Sequence, residues 1–174
     1  MGAYWAYVTL NFGGYWNWDP VENAVYVPWL ILVASIHTMI TFKKSATALK
    51  TSIILVILSF ILVLYATFLV RSGVLGDASV HSFTDLGLSG QLLLYLLFFM
   101  GVAIFLAARA WKHLPTSERE ASVYSREFWI FLGAMTLGLM SFQVILPTSI
   151  PAWNALVESF GGISNMAPPA DQVG

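Results

Sequence analysis

The chain has 174 residues, 58% of them hydrophobic and only 10% charged, with a mean hydropathy of +0.76. Charged residues make up about a quarter of an ordinary soluble domain, so a water-soluble core does not account for this composition and a bilayer does. A formal net charge of −1 leaves no basic patch and hence no call for nucleic acid; the absence of cysteine excludes disulfides, thiolate metal sites and thiol chemistry supplied by this chain.

Met1 to Phe12 carries neither the basic start nor the cleavage site of a signal peptide and reads as the tail of a longer element. An aromatic segment over residues 12–24 follows, Gly13-Gly14-Tyr15-Trp16-Asn17-Trp18-Asp19-Pro20-Val21-Glu22-Asn23-Ala24. Amphipathic rings gather at membrane interfaces in general, but this density exceeds what an interfacial belt needs and suits a platform for a flat, apolar ligand. In an extended strand Trp16 and Trp18 share one face, with Tyr15 opposite unless the glycines bend the chain. Asp19 suits an N-cap, Pro20 the first helical position and Glu22 the third, an acidic form of the capping box. A direct ligand role for these carboxylates is compatible with that structural one.

Four apolar runs approach or reach the ~20 residues that cross a bilayer: 25–42, 52–70, 90–108 and 128–146, none containing Asp, Glu, Lys or Arg. The expected fold is therefore all-α: a polytopic membrane protein with four transmembrane helices, one membrane domain over 1–174, belonging to a larger helical bundle. Pro28 removes a backbone hydrogen bond from the first span and predicts a kink there. Lys43, Lys44 and Lys50 follow the first span, and Arg109, Lys112, Arg119 and Arg126 follow the third; Arg71 alone lies at the other side. The positive-inside rule makes the first group cytoplasmic and turns the aromatic segment, the 71–90 loop and the tail from Pro147 outward. In the tail (147–174), Trp153, Leu156, Val157 and Phe160 repeat at helical spacing behind Pro151 and end at Gly161-Gly162, which predicts a short amphipathic helix on the outer interface.

Histidines and one arginine carry the candidate chemistry. His37 lies twelve residues past Val25, ~18 Å into the bilayer at 1.5 Å per residue. An ionisable group at that depth is costly and marks a functional site by default, and neutral imidazole is a favoured axial ligand of heme iron. With the aromatic platform at the top of the same helix, heme is the candidate ligand; the competing reading is a histidine hydrogen-bonded to a neighbouring helix. On residue type alone, His81 in the outward loop is a plain surface residue. Arg71 either snorkels to headgroups or pairs with a carboxylate such as a heme propionate. His113, beside Lys112, reads as a solvated flank residue.

The segment from Gly13 to Ala24, with Pro28-Trp29-Leu30 behind it, resembles the tryptophan-rich (WWD) signature of heme-handling membrane proteins. Its Asp-Pro-Val-Glu-Asn-Ala version is similar to the cytochrome c maturation protein F (CcmF) branch and its NrfE-type relatives. His37 falls where that family has a transmembrane histidine. Leu69-Val70-Arg71-Ser72-Gly73-Val74-Leu75 with Ser79-Val80-His81-Ser82-Phe83 resembles its next outward loop, and Ser125-Arg126-Glu127 its fourth span's start. The resemblance implies a subunit of the cytochrome c heme lyase in the bacterial inner membrane, with its tryptophan-rich segment on the periplasmic face. Its partners would be membrane lipid, a heme chaperone of the CcmE type, apocytochrome c with its thiol-handling partner, and the remaining segments of the lyase. By that resemblance His37 ligates a resident b-type heme and His81 an incoming heme. Trp16, Trp18 and Asp19 form the docking surface; Tyr15, standing where the family often has tryptophan, and Arg71, as a propionate partner, are cofactor-binding candidates on residue type. His37 and His81 lie on opposite sides of the midplane, too far apart to clamp one iron, so the expectation is a fragment or one piece of a split protein. The alternatives are a membrane heme transporter, a CcsA- or CcmC-type heme-delivery protein, or a b-type heme electron-transfer subunit.

Overall fold

A computed structural model describes residues 4, 7–9, 14–41, 46–76, 78–79, 87–114, 124–164 and 166. From the aromatic segment onward these form α1 (Pro20–Ile40), α2 (Ala46–Arg71), α3 (Ser89–Trp111), α4 (Arg126–Thr148) and α5 (Ile150–Ser159). The first four are each long and apolar enough to cross a membrane. The all-helical, four-span architecture with a short fifth helix is therefore the one the sequence predicts. Aromatic segment, α2–α3 turn and α5 gather at one end of the bundle, and Thr41, Lys50, Trp111 and Arg126 at the other.

The first helix starts before Val25 because its polar residues cap it. Asp19 accepts the Val21 N–H at 2.9 Å through Oδ1, while Glu22 reaches back to the Asp19 N–H at 3.4 Å. With its orphan donors satisfied, α1 needs no hydrocarbon around its first turn. At the opposite end of the bundle, Ser125 caps α4 by accepting the Phe128 N–H at 3.2 Å.

α1 is the central helix, packed between α2 and α4, with α3 against the far side of α2. Lipid tails are as apolar as leucine, so helices in a bilayer associate through close packing and interhelical hydrogen bonds rather than hydrophobic burial. The sequence supplies both. On α2, Ser52, Ser59 and Ala66 recur every seventh residue and are buried; on α4, Ala134, Ser141 and Thr148 do the same. Small side chains along these stripes let the backbones approach. Ser35 donates to the Ser52 carbonyl at 2.9 Å, and Ser59 donates to the Pro28 carbonyl at 2.9 Å, which stitches α1 to α2 beside its proline. By contrast, α3 buries only Leu96; Phe60 and Phe99 meet edge to face across α2–α3, and Lys50 lies 5.6 Å from the centroid of the Trp111 ring. Large apolar faces of α3 and α4 remain exposed.

After Arg71 the chain turns back onto the bundle. Gly73 takes φ 80°, a left-handed conformation that costs glycine nothing. Gly76 N–H then bonds the Gly73 carbonyl, and Ala78 and Ser79 both bond the Leu75 carbonyl. Leu75 is fully buried against Ala24, Ala66 and Leu69. One apolar side chain thus pins this turn under the start of α1. In the tail, α5 has Pro151 in its first turn and ends ahead of Gly161 at φ 75°.

Candidate functional site

Trp16 and Trp18 sit in the non-helical segment ahead of α1, and Trp18 adopts φ 57°, the one positive φ among the described non-glycine residues. An indole-bearing residue is disfavoured there, and three contacts hold it. Asn23, itself buried, donates from Nδ2 to the Trp18 carbonyl at 2.8 Å; Glu22 Oε2 accepts the Asn17 N–H at 2.8 Å; Asp19 caps the helix that follows. The turn swings Trp18 back onto Trp16 and onto Tyr26 of α1.

Four rings result. Trp16 and Trp18 meet edge to face at 6.1 Å, Tyr26 contacts them at 5.4 and 6.2 Å, and Trp29 stacks on Tyr26 at 5.6 Å with an interplanar angle of 21°. Trp16, Trp18 and Trp29 are nonetheless 38%, 50% and 55% exposed. Such rings normally bury most of their area, so this cluster presents an open apolar shelf running from the helix cap down the first turns of α1. Tyr15 lies apart from it and stacks on Tyr7 at 4.5 Å. Trp16 and Trp18 meet through this left-handed turn rather than through the alternation of an extended strand. Tyr26 and Trp29, three residues apart on α1, complete the shelf.

Asp19 is half-buried, and its Oδ1 takes both the Val21 N–H and the Ser79 hydroxyl, the latter at 2.7 Å. Ser79, sixty residues downstream, and Asn23 both lie within the quoted motifs, but nothing in the sequence joins Ser79 to Asp19.

His37 occupies the last turn of α1, eight residues beyond Trp29 and ~12 Å along the axis. Its Nδ1 lies 2.7 Å from the Val33 carbonyl. A carbonyl only accepts, so Nδ1 carries a proton and donates it, which makes Nε2 the ring nitrogen available to a metal. Metal-ligating histidines are commonly prepared in this way, through a second bond that fixes tautomer and ring. The side chain is part-buried. No cluster of three or more His, Cys, Asp or Glu residues able to hold a metal exists among the described residues. His37 fits an axial ligand whose mate comes from elsewhere.

Arg71 ends α2 at the shelf end of the bundle, exposed, and heads a groove of about 490 Å³ between α1 and α2 lined by Val25, Pro28, Val63 and Val70. Val25 is one helical turn from Trp29, so groove and shelf adjoin along α1. His81 lies outside the described residues. His113 follows α3 at the basic end, far from the shelf.

The fold and this arrangement define a multi-pass helical membrane protein with a capped aromatic shelf at one end of its spans. Residues 1–75 match the family described as Cytochrome C assembly protein. The chain is 39% identical over 99% of its length to the cytochrome c-type biogenesis protein CcmF of Haemophilus influenzae, covering 26% of that protein. It is 39% identical over 92% of its length to the cytochrome c-type biogenesis protein ccl1 of Rhodobacter capsulatus, covering 24%, and 36% identical over 87% to CcmF of Escherichia coli, covering 23%. Over the segment it spans, then, the chain is similar to CcmF-type proteins along nearly its whole length, and the similarity supports a role in cytochrome c biogenesis. The chain spans about a quarter of the length of these relatives. No solved structure matches it.

Proposed function

We propose that this chain is part of a cytochrome c heme lyase and holds heme at the outer, periplasmic face of the bacterial inner membrane for attachment to apocytochrome c. The observation that carries the reading is the exposed four-ring shelf, maintained through a disfavoured Trp18 backbone and a dedicated capping network. A surface kept at that cost, in a protein whose relatives serve cytochrome c biogenesis, suits a flat apolar macrocycle.

Heme, when bound, supplies iron and the vinyl groups that become thioether links to the substrate's cysteines. The chain's own residues do the rest. Trp16, Trp18, Tyr26 and Trp29 cover the ring face and exclude water, at ~25 cal/mol per Å² of apolar area removed from water. Arg71 offers a guanidinium to a propionate, a geometry arginine favours. His37 offers Nε2 to a resident b-type heme, ~12 Å below the shelf's lowest ring, and His81 serves the incoming heme. Tyr15, stacked on Tyr7, offers a second exposed ring apart from the shelf, and Asp19 holds the shelf through its helix cap. The chain's lack of cysteine agrees with thiols that belong to apocytochrome c and its thiol-handling partner. A heme chaperone of the CcmE type delivers the heme, and the remaining lyase segments complete the ligand sets.

The experiment is the pair Trp16→Ala and Trp18→Ala in cells that depend on this protein for cytochrome c. At normal protein levels, holocytochrome c falls severalfold. Unchanged holocytochrome c in the double variant would refute the reading.

A further inference from the structure

The shelf and the turn after α2 are separate in sequence and joined in space by one polar contact. Asp19 Oδ1 accepts the Ser79 hydroxyl at 2.7 Å while also capping α1 through Val21. Both sides of this contact are anchored independently. The Asp19 side is fixed by Glu22 and by the Asn23 Nδ2 bond to the Trp18 carbonyl. The Ser79 side is fixed by the Leu75 carbonyl and by the Leu75 side chain, which has no exposed area. Ser79 is itself buried, and an ionised acceptor makes the bond charge-assisted and short. A carboxylate has about four acceptor sites, so Asp19 can cap its own helix and at the same time take a hydroxyl sixty residues away, which couples the placement of the two segments.

We propose that Asp19, Ser79 and Asn23 form a clasp that sets the position of the Trp16–Trp18 shelf against the turn following α2, making Ser79 and Asn23 positioning residues of the heme site. The inference rests on the heme reading for its purpose, but not for its geometry. Ser79 belongs to the turn that Leu75 pins beneath the start of α1, so the clasp ties the ring-covering surface to the end of α2. Asn23 works on the other half: its bond holds Trp18 in the left-handed conformation that turns the indole onto Trp16 and Tyr26. Neither residue touches the macrocycle. Each acts through the placement of groups that do.

The test uses the whole protein in membranes, with Ser79→Ala, Ser79→Thr, Asn23→Ala and, as a separate arm, Trp18→Ala. Because this chain contains no cysteine, Asn17→Cys and Ala78→Cys accept a pair of spin labels whose separation reports the clasp without any heme. Ser79→Ala broadens that distance distribution, and Ser79→Thr, which keeps the hydroxyl, restores it. Titrated hemin binds ~10-fold more weakly to Ser79→Ala, the scale of one lost hydrogen bond to a charged group, and Ser79→Thr recovers most of the loss. Asn23→Ala also lowers hemin affinity and broadens the 17–78 distance, since it frees the Trp18 turn that carries residue 17, and here no change at Ser79 restores either. An unbroadened distribution in Ser79→Ala overturns the clasp whatever happens to hemin. A broadened distribution with wild-type hemin affinity overturns its positioning role. Wild-type hemin affinity in Trp18→Ala overturns the shelf reading instead, and is thereby distinguished from the other two.

Discussion

Glu22 offers the sharpest quantitative test of how the aromatic segment is held. Its Oε2 accepts the Asn17 N–H at 2.8 Å and the Asp19 N–H at 3.4 Å, and the first of these bonds fastens the segment between the two tryptophans. Hydrogen bonds to charged groups contribute ~1.5–3 kcal/mol; the site is partly solvated and the second bond is long, which places the pair at about 2 kcal/mol. Glu22→Ala removes both, and Glu22→Gln keeps a neutral acceptor worth roughly 1 kcal/mol. Since 1–2 kcal/mol corresponds to a factor of about 5–30 in an opening equilibrium, Glu22→Ala speeds amide exchange at Asn17 and Asp19 about 30-fold and Glu22→Gln about 5-fold. Amides in the middle of α1 keep their rates, because the seams with α2 and α4 are untouched. Hydrogen exchange read by mass spectrometry on peptides covering 14–24 and 27–38 provides the comparison. Exchange in 14–24 that is no faster in Glu22→Ala, or equally fast in Gln and Ala, would show that the charged acceptor does not hold the turn.

Other substitutions probe the remaining layers. His37→Ala abolishes the b-type absorbance of the assembled protein while leaving its far-ultraviolet dichroism intact; a retained bis-histidine spectrum would remove His37 from the ligand set. Ser141→Leu places a branched side chain in the α1–α4 seam, where Ser141 is 3% exposed; overpacking costs ~1–3 kcal/mol and lowers resistance to unfolding in detergent, whereas Ser141→Ala is tolerated. Gly161→Ala forces a side chain into φ 75° at a cost of ~1–2 kcal/mol and frays the end of α5, seen as faster cleavage by added protease after Ser159, with the four spans unaffected.

The spans, the short fifth helix and the cap were legible because each is a local property: an apolar run of bilayer length, a helical repeat behind a proline, an Asp-Pro-x-Glu spacing. The start of α1 at Pro20 rather than Val25 was also written in that cap. A search for apolar runs ignores it, because capped helix outside hydrocarbon needs no apolar side chains. The stripes Ser52-Ser59-Ala66 and Ala134-Ser141-Thr148 are readable in retrospect as small residues at seven-residue spacing. What no local pattern announces is the left-handed turn at Trp18, on which the recruitment of Tyr26 and Trp29 depends. Nor does any spacing rule join Asp19 to Ser79. That contact exists because the Leu75 turn folds back, a tertiary event decided by burial far from either residue.

His37 takes the bond that fixes its tautomer from a carbonyl one turn back on its own helix. That support is therefore present as soon as α1 is helical, and it owes nothing to the order in which neighbouring segments arrive. A newly inserted α1 already holds its imidazole in a fixed orientation before anything docks alongside it, so assembly around this position can proceed by addition, with no rearrangement of the ring to wait for.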